Sequence, residues 1–233
     1  RNRSGHFDLF AVPAEGGVPD TILADGVNNY ALWAPDGNRL AVNRRKGERS
    51  TIEMLTLDGR STRPLTTEGR EALAEWSPDG REILYTSSRT GTGDIWIVPA
   101  DSGAPRQLTQ EIRNDWEPTF SPDGRWVAFL SDRGGQQDVW IVSSDGGEAI
   151  RVTDDAGRES DLTWTPDGKG VTFAYAEGLS QLWVLPREGG EARQLTSGGK
   201  GSWDPQVSPD GQWIAFTSDR AGNDDIWVVA TAG

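Results

Sequence analysis

The sequence lacks cysteine altogether, has a single histidine (His6) and contains no long apolar run. Without cysteine there are no disulfides, thiolate metal sites or cysteine nucleophiles. One histidine cannot build a multi-histidine metal centre, and a Ser-His-Asp triad needs a rigidly positioned base, which a terminal segment does not supply. No stretch approaches the roughly 18 apolar residues that span a bilayer, so membrane insertion is not expected.

Positive charge is also scarce, since 36 Asp and Glu residues outnumber 23 Lys and Arg residues and give a formal net charge of −13. Such a surface repels phosphate backbones, so nucleic acid is not an expected partner. A basic protein, a cation or a neutral glycan is easier to accommodate. Solubility alone is the simpler explanation of the charge.

Glycine, proline and tryptophan are abundant, with 29, 13 and 11 copies in 233 residues. Many turns and many large flat side chains indicate an all-β protein with short strands. No segment of about ten or more residues shows helical apolar spacing.

A tetrapeptide close to Ser-Pro-Asp-Gly recurs five times, with its prolines 43 or 44 residues apart. Its copies are Ala34–Gly37, Ser77–Gly80, Ser121–Gly124, Thr165–Gly168 and Ser208–Gly211. This tetrapeptide suits a type I turn, because Pro presets the second residue and Gly fits the fourth. Apolar stretches rich in Val, Ile, Phe and Trp follow each turn, and then a short Leu-Thr-like stretch. Each repeat therefore predicts four strands joined by hairpins.

Sheets of four strands cannot bury both faces alone, whereas sheets stacked radially cover each other. We therefore predict an all-β propeller of four-stranded antiparallel blades, forming one domain over residues 1–233. The repeats are approximately 28–68, 69–112, 113–156, 157–199 and 200–233, and residues 1–27 are a partial repeat that completes closure. Strand counting favours five blades, with six as the alternative. A solenoid is the competing architecture, but its repeats are usually shorter.

A tryptophan recurs in the third predicted strand of four repeats, at Trp96, Trp140, Trp183 and Trp227. We interpret this residue as a wedge that fills the gap between neighbouring blades. A functional row of aromatic side chains is the alternative.

The segment Asp115–Arg133, which holds the Ser121–Gly124 turn, resembles the TolB-like, WD-repeat-like propeller repeat. The resemblance covers essentially the whole chain. It implies a propeller, commonly of six blades, and a periplasmic or extracellular location. Members of this family include periplasmic accessory proteins, gating domains of serine peptidases and sensor domains, so the resemblance specifies the fold more closely than the function.

Carboxylates recur at the start of the first predicted strand in four of the five repeats. Aligned copies place Glu117, Asp161 and Asp204 at one level, with Tyr30 and Leu73, and place Glu71, Asp115 and Glu159 two residues earlier, with Asn28 and Ser202. In a propeller this segment lies near the mouth of the central channel. Such acids can capture a basic peptide, with Trp116 and Trp203 adding contact area, or can bind Ca²⁺ through oxygen ligands. The alternative is that they accept hydrogen bonds from neighbouring blades or face water.

We therefore predict a non-catalytic protein-binding or scaffold propeller that acts through its channel mouth and loops. Its expected partner is a protein or peptide, and no cofactor is expected. One alternative is a substrate-gating propeller of a serine peptidase whose catalytic domain is absent from this sequence. Another is a Ca²⁺- or glycan-binding propeller. A free-standing hydrolase or lyase is the last, but no acid–base pair stands out among the many carboxylates.

Overall fold

A computed structural model describes residues 8–24, 27–67, 69–198 and 200–231, and His6 lies outside these ranges. Within them the regular structure consists of β-strands without a helix, so no helix there can cross a membrane. The strands pair into antiparallel sheets. The predicted all-β architecture of antiparallel blades is therefore confirmed.

Four sheets contain four strands each, and we number them blades 1 to 4. Blade 1 consists of β3 (Asn28–Trp33), β4 (Arg39–Lys46), β5 (Arg49–Thr56) and β6 (Ser61–Pro64). Blade 2 consists of β7 (Glu71–Trp76), β8 (Glu82–Ser87), β9 (Asp94–Pro99) and β10 (Arg106–Gln107). Blade 3 consists of β11 (Asp115–Phe120), β12 (Trp126–Ser131), β13 (Asp138–Ser143) and β14 (Ile150–Arg151). Blade 4 consists of β15 (Arg158–Trp164), β16 (Gly170–Glu177), β17 (Leu179–Pro186) and β18 (Arg193–Gln194).

Two sheets are smaller. Blade 5 has three strands, β19 (Ser202–Val207), β20 (Trp213–Ser218) and β21 (Asp225–Ala230). The first sheet along the chain has two, β1 (Leu9–Ala11) and β2 (Asp20–Leu23). The described residues thus form six sheets, which make five or six blades depending on whether the two-stranded sheet counts as a blade, in line with the predicted propeller.

The chain forms two compact units. Unit 1 lies within Arg1–Gly91 and Trp96–Arg106, and unit 2 within Thr92–Ile95 and Gln107–Gly233. In each unit, adjacent sheets bury each other's faces: Ile52 of blade 1 packs in one cluster with Tyr85 of blade 2, and Leu182 of blade 4 packs with Phe216 of blade 5. The assignment of residues 1–233 to a single domain stays a prediction.

The five Pro-Asp-Gly turns close with the expected bond from the glycine N–H to the carbonyl oxygen three residues earlier, at 2.8–3.0 Å. The turn aspartate also accepts the N–H two residues later, for example from Arg81 to Asp79 Oδ1 at 3.0 Å. Where a serine or threonine opens the turn, its hydroxyl donates to the same oxygen, as Ser77 does at 2.7 Å. The turns are therefore closed by local bonds that the tetrapeptide itself supplies.

A threonine clamps the outermost strand of each complete blade. Its Oγ1 atom accepts the N–H of the second or fourth residue of the third strand, in the pairs Thr66–Ile52, Thr109–Ile95, Thr153–Val139 and Thr196–Leu182, at 2.8–3.0 Å. The residue before each threonine returns a backbone bond to the same position of the third strand. Blade 5 has no fourth strand among the described residues, and Ile226 is accordingly 73% exposed.

Candidate binding site at the first strands of blades 3 to 5

The three carboxylates predicted at one level, Glu117, Asp161 and Asp204, occupy the same unusual backbone position in blades 3, 4 and 5. Each has a positive φ angle, between 49° and 57°. Each also sits in a bulge that interrupts the pairing of the first strand with the second. A positive φ is uncommon for residues other than glycine, and such outliers persist only where the surroundings hold them in place.

Hydrogen bonds join these bulges from blade to blade. The Asp161 N–H donates to Glu117 Oε2 at 3.2 Å, and the Asp204 N–H donates to Asp161 Oδ2 at 3.4 Å. Ser160 Oγ adds a bond to the same Asp161 oxygen at 3.0 Å. We call Glu117, Asp161 and Asp204 the carboxylate row. Two of its members thus accept interblade backbone bonds, which is one of the roles the sequence allowed, while Asp204 accepts none from the described residues.

The carboxylate row concentrates negative charge at a partly desolvated place. Burial, and secondarily the Asp161 charge, raises the pKa of Glu117. Burial and then the Asp161 charge likewise raise the pKa of Asp204. Glu117 and Asp204 are nevertheless exposed at their outer edges. A cationic group at the row would relieve this repulsion, and the row therefore has the chemistry of a cation-binding surface.

The carboxylates predicted two residues earlier in the first strands are buried, and most of them form contacts within the protein. Glu71 and Asp115 have no exposed side-chain surface, and each forms an ion pair with an arginine from the loop between the second and third strands. Arg89 is the partner of Glu71, and Arg133 bonds Asp115 Oδ2 at 2.7 Å. Ser202 takes the same position in blade 5 and accepts a bond from Arg220 at 3.1 Å. These carboxylates anchor loops and do not face solvent.

Glu159 is the exception at this level. It is fully buried, and no described arginine or lysine forms an ion pair with it. Burial raises its pKa to about 7 against the lowering effect of the neighbouring Thr153 hydroxyl, and the charges of Asp155 and Asp138 add to the rise. Blade 4 has no arginine to pair with it, because Gly178 alone joins β16 to β17.

The remaining predicted residues have packing roles or lie elsewhere. Trp116 is half-buried and packs against a cluster that includes Leu130 and Phe173. Trp203 is also half-buried and covers Gly201, where an added Cβ would come within 2.8 Å of its ring. In unit 1, Tyr30 and Leu73 line a separate cleft of about 650 Å³. Arginines enter that cleft too, so it does not continue the acidic character of the row.

The described ranges contain no cluster of side chains suited to binding a metal ion. No group of three or more His, Asp or Glu side chains there is arranged to hold an ion. The carboxylate row spaces its acids one per blade, which suits an extended ligand better than a single ion.

Comparison with known proteins identifies the repeat. Residues 67–177 match the family model of the TolB beta propeller domain. The repeats within this segment are TolB-like. No curated protein sequence matches the chain.

Solved TolB-like structures share the fold at low sequence identity. A putative TolB from Agrobacterium tumefaciens is 23% identical, with a TM-score of 0.70 over 93% of this chain and 82% of that one. TolB from Acinetobacter baumannii is 22% identical, with a TM-score of 0.70 over 97% of this chain but only 57% of the other. A puromycin-hydrolyzing peptidase of Mycobacterium tuberculosis is 15% identical, with a TM-score of 0.75 over 94% of this chain and 41% of the peptidase. The chain thus matches only part of the longer relatives.

Sequence reasoning missed the arginines that complete these TolB-like repeats. Arg89, Arg133 and Arg220 stack over the third-strand tryptophans Trp96, Trp140 and Trp227, with the guanidinium carbon 4.5–5.1 Å from the ring centroid. A signal was present, since Ser-Asp-Arg or Ser-Ser-Arg recurs at this place in blades 2, 3 and 5. All three tryptophans are half-buried, and Trp96 and Trp227 contact core clusters as well as these arginines.

Proposed function

We propose that this TolB-like propeller is a non-catalytic binding domain that captures a basic, extended segment of a partner protein on the carboxylate row. The observation that carries the proposal is the three-fold recurrence of a carboxylate at positive φ in successive blades, joined by interblade hydrogen bonds. Packing alone does not require an acid at such a position, where glycine would be least strained. Strained backbone that is held in place clusters at binding sites.

Charge supports the same proposal. The raised pKa values of Glu117 and Asp204 reflect carboxylates that lack compensating charge. With the protein's net charge of −13, the field around it attracts a basic partner and speeds encounter. Because the members of the row come one from each blade, a partner with regularly spaced lysine or arginine side chains can contact more than one of them.

A second candidate is a substrate-gating propeller of a peptidase. It is favoured by the likeness to the puromycin-hydrolyzing peptidase, of which this chain matches 41%. Both candidate functions use the carboxylate row as the binding surface. They differ in that a gating propeller would pass the bound segment to a peptidase domain. Ca²⁺ or glycan binding has no comparable supporting geometry.

The proposal is tested with a fluorescein-labelled peptide of alternating lysine and serine, measured by anisotropy at low and at physiological salt. We expect saturable binding, and expect the combined change Glu117→Gln, Asp161→Asn and Asp204→Asn to weaken it at least about tenfold, the effect of losing one charge-assisted hydrogen bond or more. A peptide with glutamine in place of lysine should not bind.

The matched control removes three other exposed acids, Asp58→Asn, Asp145→Asn and Glu148→Gln, which lie in the connections between third and fourth strands. This variant carries the same charge as the row variant and should bind the peptide normally. If both variants lose affinity equally, the attraction is a property of the overall charge and the row is not a site.

A further inference from the structure

Within each unit, a groove runs between adjacent blades beside the Pro-Asp-Gly turns, and its filling differs from one groove to the next. In unit 1 the filler of the groove between blades 1 and 2 is Arg39, the first residue of β4. Its guanidinium bonds Asp36 Oδ2 at 2.7 Å, Asp101 Oδ1 at 3.1 Å and the Gly80 carbonyl oxygen at 2.9 Å. It also lies over the ring of Trp76, 5.4 Å from the centroid.

In unit 2 the groove between blades 3 and 4 is filled by an aromatic residue at the same position. Trp126 begins β12, as Arg39 begins β4. Arg187 stacks on the Trp126 ring, with its guanidinium carbon 5.1 Å from the centroid. A cationic group is thus present in both grooves, although it comes from the second strand in one and from the turn after the third strand in the other.

Blade 4 has Gly170 at this position, and the groove between blades 4 and 5 is a cleft of about 740 Å³. We call it the Gly170 cleft. Apolar side chains from both blades line it, including Val184, Leu195 and Ile214. The glycine is not required by a positive φ, although a Cβ there would make a close contact of 3.1 Å with the Leu185 carbonyl oxygen. Gly170 sends no side chain into the cleft, whereas Arg39 and Trp126 fill the corresponding grooves.

Polar groups in the Gly170 cleft repeat the arrangement that holds Arg39. Asp167 corresponds to Asp36 in the turn; its Oδ1 accepts bonds from Thr165 and Lys169, and no described residue donates to Oδ2. Oδ2 is the atom of Asp36 that binds the Arg39 guanidinium. Gly211 corresponds to Gly80 and also lines the cleft, but its carbonyl oxygen accepts the Thr231 hydroxyl at 2.6 Å, so Asp167 Oδ2 is the free acceptor of the two.

A buried hydroxyl adds an independent observation. Thr172 is fully buried, lines the cleft, and has no hydrogen-bond partner for Oγ1 among the described residues. The corresponding positions in blades 1, 3 and 5 are alanines, so packing does not call for a polar atom here. A buried hydroxyl without a partner is costly, and a ligand with a hydrogen-bonding group would satisfy it.

We propose that the Gly170 cleft binds the side chain of an arginine presented by a partner protein or peptide. The guanidinium takes the place that Arg39 occupies in blade 1 and bonds Asp167 Oδ2, while the aliphatic stem covers the apolar lining. Thr172 Oγ1 accepts a further N–H. Four acids and two basic residues line the cleft, an excess of negative charge that suits a cation. The cleft lies beside the turns, at the opposite end of the first strands from the carboxylate row.

The test uses the blocked peptide acetyl-Gly-Arg-Gly-amide and its neutral isostere with citrulline, titrated into ¹⁵N-labelled protein. We expect the arginine peptide to shift the amide resonances of Thr172, Gly211 and Asp167, and the citrulline peptide to bind at least about tenfold more weakly. Gly170→Arg, which restores the side chain found in blade 1, should abolish the shifts. Asp167→Asn and Thr172→Val should each weaken binding.

The matched control is Asp79→Asn, which makes the same change in the equivalent turn of blade 2. It should leave the peptide-induced shifts of Thr172, Gly211 and Asp167 unaltered, as should the row variant described above, so that failure of this site and failure of the row remain distinguishable. The proposal is overturned if the arginine peptide produces no shifts at the cleft, if the citrulline peptide binds equally well, or if Asp79→Asn weakens binding as much as Asp167→Asn. Should Gly170→Arg fail to fold, the other two variants still decide.

Discussion

Blades 3 and 4 are adjacent in unit 2 and share their strand order, but the buried acid of the first strand has an arginine partner only in blade 3. In blade 3 the loop between Ser131 and Asp138 carries Arg133, which pairs with Asp115 and stacks on Trp140. In blade 4 the loop is reduced to Gly178 and supplies no cation to Glu159. The comparison shows that a repeat can keep its acid after losing the partner that compensates it.

Tyr175 takes part of the space that the arginine occupies in blade 3. It corresponds to Ser131, and its ring meets Trp183 edge-on, with centroids 5.9 Å apart. The ring lies against Gly157, where an added Cβ would come within 2.1 Å of it. Tyr175 therefore replaces the packing of the arginine but not its charge.

The largest expected effect comes from making blade 3 resemble blade 4. Arg133→Met removes the cation and leaves Asp115 buried without compensation, and breaking a buried pair in this way costs about 3–5 kcal/mol. Thermal or urea unfolding of the variant measures this loss. Arg125→Met, at an exposed arginine of the same blade, is the control and should change stability by less than about 0.5 kcal/mol. A small loss at Arg133 would mean that Asp115 is hydrated.

The next effect concerns Glu159 and depends on pH. Its pKa rises from the unfolded value of 4.5 to about 7 in the folded protein. Between these values the folded state holds a proton that the unfolded chain has released, so the free energy of unfolding decreases as pH rises from about 4.5 to 7. Glu159→Gln should therefore stabilise the protein by up to about 3 kcal/mol at pH 8 and leave it unchanged at pH 4.

Urea unfolding across that pH range measures the effect of Glu159→Gln. The comparison variant, Asp115→Asn, removes the partner of Arg133 and should destabilise the protein at pH 8. If Glu159→Gln also destabilises it there, then the Glu159 carboxylate has a cationic or hydrogen-bonding partner in solution and the contrast between the two blades is wrong.

The smallest expected effect comes from a substitution at Gly178, the single residue that joins β16 to β17. Gly178 has a φ of 114°, a conformation that side chains with a Cβ rarely adopt. Gly178→Ala should cost at least about 1 kcal/mol, and nothing crowds the added methyl group, so the loss reports backbone strain alone. Unfolding midpoints measure it. An unchanged midpoint would indicate that the one-residue connection relaxes, and that blade 4 is less constrained than its short turn implies.

The repeat, the strands and the turns could be predicted from the sequence because the chemistry that forms them is local. Pro35, Asp36 and Gly37, for example, act within one turn, and apolar stretches mark the strands beside it. The need of four-stranded sheets to cover both faces then predicted radial stacking, and the resemblance to TolB-like repeats implied the same arrangement. These features need no knowledge of distant contacts.

The details of the candidate site depend on contacts between residues far apart in the chain. The bond from the Asp161 N–H to Glu117 links residues 44 positions apart, so neither the bulge nor its positive φ appears in a local pattern. The aligned repeats contained both Asp115 and Arg133 but not the fact that they meet. In contrast, comparing the repeats within the sequence shows that blade 4 lacks the arginine and that it has glycine at position 170, where the other repeats have larger residues.

The threonine clamp has a consequence for the rim of each blade. Because one hydroxyl and one amide fasten the outermost strand, which has only two residues in blades 2 to 4, the segment leading to it does not set the register of the sheet. Peptide tags or epitopes inserted after Ser102 or Gly146 should therefore be displayed without loss of fold, whereas equal insertions at the Pro-Asp-Gly turns would separate groups that bond directly. The periphery is the natural place to modify this scaffold.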